Sequence, residues 1–364
     1  MDQPTDTENI NKRAHKGRGA VTNDTGRFEQ TTTVLVDDGW AIEAPNAAAP
    51  KTTIGRDTSR TVISRNQSPD VPFDRSINPY RGCEHGCVYC FARPTHAYLG
   101  LSPGLDFETR LFAKHDAAEQ LAVELRRPNY LPDEIALGAN TDPYQPIERD
   151  LQITRKVLEV LRDFGHPVVI VTKSALVVRD LDILTDMAAR GLVKVAVSIT
   201  SLDRDLSRRM EPRAPAPHRR LEAVRALVTA GVPTHVLMAP IVPAINDWEI
   251  ERLLEAASEA GAGGAGYVLL RLPNEIKDLM GDWLVEHYPD RAERVLSLVR
   301  QTRGGKLYRS NWGERRLGTG PVADLIAQRF KLARKRYGLT DRGPDLRLDR
   351  FKPPPAPGDQ LALL

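Results

Sequence analysis

Four times in this 364-residue chain a helix-period segment ends on a glycine, and a short apolar run follows within a few residues. Residues 151–164 carry Leu151, Leu158, Leu161 and Phe164 at helical spacing, Gly165 supplies the stop, and PVVIVT occupies 167–172. Residues 181–190 and Gly191 precede VKVAVSIT (193–200), and residues 219–230 and Gly231 precede THVLMA (234–239). Residues 247–260, with Asn246 as N-cap, end at Gly261 before GYVLL (266–270). Upstream, a helix over 115–126 leads into EIALG (134–138). Runs that are apolar on both faces and separated by helices predict a parallel sheet covered by helices. Counting the segment before Gly82, the pattern gives six β/α units.

A doubly wound sheet and a barrel both accommodate six units, and the placement of polar residues favours the barrel. Each strand runs into a distinctive loop: RGCEHGCVYC, ANTDPYQPIE, TKS, SITSLD, APIVPAIND and RLPNE. The helix-to-strand turns are bland by comparison. In α/β barrels the working residues sit on the loops after the strands, so this asymmetry marks one active face.

Outside this core, residues 1–60 are rich in Thr, Asp, Asn, Arg and Gly and predict a mostly disordered extension. Within it, TTTVLVDDGWAI (31–42) reads as a short hairpin around Asp38-Gly39. The core domain is assigned to 61–302. Residues 303–364 form a basic segment in which residues from Arg303 to Arg336 face few acids. It contains a terminal helix over 322–337, stopped by Gly338, and ends in a floppy KPPPAPGDQ tail.

The chain as a whole has 51 Lys and Arg against 48 Asp and Glu, so no global polyelectrolyte partner is implied. The first residues, MDQPTDTENINKR, carry early acids and no apolar core, unlike a secretory signal. No apolar run reaches the roughly 18 residues of a membrane span. A cytoplasmic location is the expectation.

All three cysteines fall in eight residues, Cys83-Glu-His-Gly-Cys87-Val-Tyr-Cys90. A disulfide framework would spread an even number along the chain. Clustered thiols of this kind point to metal or redox chemistry. A [4Fe–4S] cluster has four irons, each wanting a terminal ligand, so three cysteines leave one iron open to a substrate or cosubstrate. Gly82 and Gly86 relieve crowding where the backbone approaches inorganic sulfide. Zinc would need a fourth ligand, for which His85 and His96 are the candidates, but His85 reads better as a loop residue.

The full cysteine pattern is C-x3-C-x-aromatic-C. With SINPYRGCEHGCVYCFAR, ANTDPYQPIE, TKSALVVRDLDIL, MEPRAPAP and PIVPAIND in order, residues 60–300 resemble the radical S-adenosyl-L-methionine (SAM) superfamily, in the branch that includes spore photoproduct lyase. The resemblance implies a partial (β/α)6 TIM-type barrel with the cysteine loop after the first strand. It implies that Cys83, Cys87 and Cys90 ligate a [4Fe–4S] cluster whose open iron takes the amino and carboxylate groups of SAM. Reduction by a low-potential donor such as flavodoxin or ferredoxin then releases methionine and a 5′-deoxyadenosyl radical, which abstracts hydrogen from substrate. On the same basis Tyr89 flanks the adenine, Thr141 and Asp142 meet the methionine amino group, and Lys173 and Ser198 hold its carboxylate. Arg213 either reaches the cosubstrate or substrate or makes a structural ion pair.

The chain departs from the lyase at one point. The lyase uses a further cysteine to return hydrogen to its product, and this chain has no fourth cysteine. The lyase reaction itself is therefore not implied and the substrate stays open. A tyrosine such as Tyr267 can donate hydrogen, although nothing singles it out. The basic C-terminal segment allows a nucleic-acid substrate, and a solvated helix face explains the same charges. Two other classes remain: an iron–sulfur electron carrier or redox sensor, with no need for Lys173 or Asp142, and a zinc-stabilised nucleic-acid-binding module.

Overall fold

Six parallel strands form the centre of the computed structural model, which describes residues 15–29 and 51–355. They are β1 (Arg75–Ile77), β2 (Ile135–Leu137), β3 (Val168–Thr172), β4 (Val193–Ser198), β5 (Thr234–Ile241) and β6 (Gly264–Leu269), paired in that order. A short antiparallel strand, Ile63–Arg65, continues the sheet on the outer side of β1. The sheet stays open between that strand and β6, so the architecture is α/β, a partial (β/α)6 barrel.

Helices follow the strands as the glycine pattern predicts: α1 (Ala117–Leu125), α2 (Ile153–Asp163), α3 (Leu181–Ala189), α4 (Pro217–Thr229) and α5 (Ile250–Glu259). Gly165, Gly191, Gly231 and Gly261 all adopt positive φ after their helices, the left-handed stop that L side chains avoid. Val168, Ile170, Val193, Val195, Val197, Val236 and Met238 fill the interior between sheet and helices. After β6 come α6 (Ile276–His287) and α7 (Ala292–Gln301), then α8 (Pro321–Arg336), whose Phe330 packs on Tyr267 of β6. A second apolar core, with Trp283, Met280, Ile276 and Val295, sits directly under Val88 of the cysteine loop.

A second sheet joins Thr53–Arg56, Arg110–Ala113 and Tyr80–Arg81. The cysteine loop is slung between its Tyr80–Arg81 and Arg110–Ala113 strands.

Four expectations are corrected by non-local contacts that no residue spacing announces. The N-terminal extension is not loose where it is described: Gly19, Ala20, Val21 and Thr22 are buried, Gly19 beside Gly86 of the cysteine loop and Thr22 beside Gly104. The hairpin expected over 31–42 lies outside the described residues. The start of the tail is seated rather than floppy, since Arg347 N donates to Gly191 O (2.9 Å) and Lys352 N to Phe164 O (2.9 Å). The basic segment is largely paired. Arg329 clasps Glu251 through two bonds of 2.9 and 2.7 Å, and Arg303 donates to the carbonyls of Leu269, Leu270 and Glu314. Arg315 pairs with Asp70 and Ser68, Arg316 with the Asp70 carbonyl, and Gly313 N with Asp70 Oδ1 (2.6 Å). These contacts cross the open side of the barrel. Asn246, finally, does not cap its helix with its side chain. That amide instead donates to Thr200 O (2.8 Å) and Pro240 O (3.0 Å) and accepts from Val242 N (2.6 Å), tying the loops after β4 and β5 together.

The seated tail places Phe351 against Tyr130 and His166, with Tyr130 Oη 2.7 Å from His166 Nε2. Burial pushes the His166 pKa down to about 4. The unfolded chain therefore binds a proton near pH 6.5 that the folded chain refuses until about pH 4. Stability is expected to fall as pH drops through that window, and His166→Gln should flatten this limb in urea denaturation followed from pH 7 to 4.

Candidate active site

The cysteine loop is held from both ends and from behind. Cys83 N donates to Phe107 O (2.9 Å), Glu84 N to Gln145 Oε1 (2.9 Å) and Val88 N to Met210 O (3.1 Å). Gly82 and Gly86 both have positive φ, and the neighbours a side chain would strike there are protein atoms. A Cβ on Gly82 would come within 2.8 Å of Phe107 O, and one on Gly86 within 2.7 Å of Glu108 Oε2. The glycines are thus required by the turn and by these contacts, in addition to any crowding by sulfide.

Behind the loop lies a buried guanidinium. Arg93 donates to Cys87 O (2.8 Å), Gly86 O (3.2 Å), Pro103 O (3.0 Å), Gly104 O (2.9 Å) and Glu108 Oε1 (2.5 Å). Glu108 in turn accepts from Gly19 N (3.0 Å) and Ala20 N (2.8 Å). The N-terminal segment is therefore part of the loop's support. Nothing in its composition reveals this, because its partners lie 88–90 residues away, with Arg18 Nη1 also donating to Glu108 O (3.0 Å).

Cys83 and Cys87 are each 7% exposed and Cys90 is half-buried. All three line one cavity of about 280 Å³ together with His85, Tyr89, Thr141, Asp142, Lys173 and Ser198. Burial pushes the Cys83 thiol well up, and with it the Cys87 thiol to about 12. Thiolates form in such a place when a bound cation compensates them. Among the described residues no three His, Cys, Asp or Glu side chains converge as the ligands of a single ion would. His96 is turned away, with Nε2 2.9 Å from Arg110 O and its ring edge-on to Phe107. Three thiols lining one cavity fit the three-cysteine ligand set of a [4Fe–4S] cluster, whose thiolates sit on different irons.

Lys173 follows β3 and reaches into the same cavity. Its Nζ lies 5.7 Å from the Tyr89 ring centroid, and it has no hydrogen bond or ion pair among the described residues. Burial opposes its charge, but Cys87 and Glu211 favour it, and its pKa lies above the ordinary lysine value. A charged ammonium without a partner in a cavity is a site for an anion. Ser198 ends β4 with its side chain in the cavity wall, and its carbonyl accepts from Arg220 Nη1 (3.1 Å).

Thr141 and Asp142 line the cavity, but their polar atoms are engaged within the protein. Thr141 Oγ1 donates to Tyr80 O (2.8 Å). Asp142 accepts from Thr172 Oγ1 (2.7 Å), Tyr144 N (2.9 Å) and Lys173 N (2.7 Å), with His85 Nδ1 at 3.3 Å. Burial opposes the Asp142 charge, and His85 together with these donors outweighs it, holding the pKa down at about 2. The side chain of Asp142 thus joins the loops after β2 and β3 and turns His85 inward. His85 is thus a residue of the cysteine loop set beside a carboxylate.

The residues that sequence reasoning missed lie under Tyr89. Its hydroxyl donates to Glu211, which also accepts from Thr200 Oγ1 (2.6 Å) and from the fully buried Arg220. Glu211 sits in the MEPRAPAP stretch, and its signal was the acid beside the Arg213 that drew attention instead. Arg213 makes the structural alternative, pairing with Glu84 Oε1 at 3.1 Å. Tyr267 faces Phe330 at 4.6 Å between ring centroids, on the helix side of β6 and outside the cavity wall.

Comparison with known proteins agrees with this geometry. Residues 77–257 match the model of the radical SAM superfamily. An uncharacterised protein of Mycobacterium tuberculosis is 38% identical over 268 residues, covering 72% of this chain and 76% of that one. An uncharacterised protein of Methanocaldococcus jannaschii is 27% identical over 173 residues, 48% of this chain and 62% of its own. In fold, the chain is similar to spore photoproduct lyase complexed with dinucleoside spore photoproduct, with a TM-score of 0.53, 17% identity, and 78% and 77% of the two chains covered. A variant of that lyase with bound AdoMet and dinucleoside spore photoproduct gives a TM-score of 0.52 at 18% identity, with the same coverage. The chain belongs to the radical SAM superfamily. It is an enzyme of that type, a membership that implies SAM and a [4Fe–4S] cluster.

Glu211→Ala should destabilise the fold by about 3–5 kcal/mol, because it strands the buried Arg220. Guanidinium chloride denaturation of the purified variant measures this, and Glu211→Gln should lose less because its amide keeps an acceptor for Tyr89 and Thr200.

Proposed function

We propose that this enzyme uses Cys83, Cys87 and Cys90 to hold a [4Fe–4S] cluster and cleaves SAM reductively to begin hydrogen abstraction from a substrate. The observation that carries the reading is the unpaired, charged Lys173 in the cavity that the three thiols line. When bound, the cluster supplies the electron that splits SAM into methionine and the 5′-deoxyadenosyl radical.

The chain's own residues then have separable tasks. Lys173 binds the carboxylate of SAM, and Ser198, at the neighbouring strand end, offers its hydroxyl to the same group. Tyr89 presents its ring to the adenine, with its orientation fixed by the hydrogen bonds at Glu211 and Thr200. Asp142 and Thr141 shape the wall near the methionine amino group. With the side-chain atoms of Asp142 engaged, its part is to add negative charge and hold the Lys173 backbone in place. The proposal includes a cytoplasmic location and a low-potential donor of the flavodoxin or ferredoxin type. No helix among the described residues is long and apolar enough to cross a membrane. Residues 61–302 form the catalytic unit in this reading, with 303–364 as a basic addition.

The test is anaerobic reconstitution with iron and sulfide, reduction with dithionite and addition of SAM, with 5′-deoxyadenosine as product. Wild-type protein should form it. Alanine at Cys83, Cys87 or Cys90 should remove cluster absorbance and product together. Lys173→Ala should keep the iron and lose about tenfold or more in SAM affinity, the equivalent of one charge-assisted hydrogen bond. Brown protein that fails to bind SAM would support an electron carrier in its place, and colourless protein with one tetrahedral zinc would remove the cluster altogether.

A further inference from the structure

The mouth of the cavity is strongly cationic. Arg271, two residues beyond the end of β6, lies over the Phe91 ring at 5.3 Å, and Phe91, next to Cys90, is 46% exposed. Arg315 and Arg316, from the short helix Glu314–Leu317, line the same opening. Arg303, 1% exposed, lies behind them. Asp70 is the acid that meets this group, and it is already engaged by Arg315, with its carbonyl taken by Arg316.

Arg271 makes no ion pair among the described residues, and its Nε is buried without a hydrogen-bond partner. Arg303 Nε is orphaned in the same way. Burial, and after it the charge of Arg271, lowers the pKa of both Arg303, to about 10, and Arg316. Guanidiniums that repel one another in a half-buried place with one engaged carboxylate lack an anion.

We propose that Arg271, with Arg315 and Arg316, forms a phosphate-binding site at the cavity mouth, and that the enzyme's substrate is a phosphate ester anchored there. This rests on the reading of the cavity as the SAM site, because it is that reading which makes the mouth the substrate's entrance. A phosphoryl group has non-bridging oxygens on several sides and accepts from guanidinium forks that arrive from different elements. A carboxylate has only two oxygens, and those of Asp70 are already taken by Arg315 Nε and Gly313 N. Phe91 beneath Arg271 adds a flat apolar surface for the portion of the ester beside its phosphate.

The experiment is isothermal titration of the reconstituted enzyme, without SAM, using inorganic pyrophosphate, ribose 5-phosphate against ribose, and a single-stranded oligonucleotide. Pyrophosphate and ribose 5-phosphate should bind and ribose should not. Arg271→Ala should weaken phosphate binding about tenfold or more, and Arg271→Lys should recover part of it. The thermal midpoint of each variant shows that it is folded, and Arg316→Ala serves in its place if Arg271→Ala is not. Tight binding of the oligonucleotide with weak ribose 5-phosphate binding assigns the ester to a polynucleotide, and the reverse to a small metabolite. Both outcomes support the site. Absence of phosphate binding by folded wild-type protein overturns it. So does an equal loss of SAM affinity in Arg271→Ala, which would give this arginine to the cosubstrate carboxylate. Because phosphate binding is measured without SAM, it stands or falls separately from 5′-deoxyadenosine formation.

Discussion

The cysteine loop depends on one buried ion pair. Arg93 and Glu108 are wholly removed from water, and a charge pair in that position is costly unless every remaining donor and acceptor is satisfied. Here they are satisfied by the parts that must be held: the carbonyls of Gly86 and Cys87, the Pro103-Gly104 turn, and the N–H groups of Gly19 and Ala20. The desolvated pair is thus a fixed peg, and three separate pieces of backbone are registered against it. A loop that must present thiols at defined places gains its precision from behind, where nothing has to move.

In front of the loop the charges follow a different logic. Glu211 is saturated by Tyr89, Thr200 and Arg220, and Asp142 by three donors with His85 Nδ1 alongside. Lys173 alone among these inner charged groups is left without a partner, although the field of its neighbours keeps it ionised. The carboxylates of the cavity wall are thus neutralised within the protein, and the Lys173 ammonium is the charge left facing the cavity. Farther out, Arg315 is paired with Asp70, and Arg271 makes no ion pair among the described residues.

The barrel was readable in the sequence because its signals are local: a glycine past each helix, an apolar run for each strand, a polar loop after it. That Cys83, Cys87, Cys90, Tyr89 and Lys173 share one cavity follows from the same local pattern, because each lies on a loop after a strand of the sheet. Illegible were the partners that arrive from elsewhere in the chain. Gly19 meets Glu108 across 89 residues, and Arg315 meets Asp70 across 245. Asn246 had the right position for a cap, and only the folded loops show that its amide has nearer backbone groups to satisfy. Composition made residues 15–29 look loose because polar residues such as Arg18 and Asn23, and the N–H groups of Gly19 and Ala20, find their partners only at Glu108 and Asp106, far along the chain.

The open side of the sheet has a mechanical consequence. In a closed barrel, a ladder of strand hydrogen bonds runs around the full circumference, and widening any sector means breaking rungs. Here the gap between β6 and the strand Ile63–Arg65 is laced by the side chains of Asp70, Ser68, Arg315 and Arg316 and by the amide of Gly313. Such a seam can unfasten one contact at a time while the six-stranded wall keeps its shape. The stiffness of the wall is therefore uneven, with hydrogen-bond ladders along six strands and a handful of discrete contacts along one line.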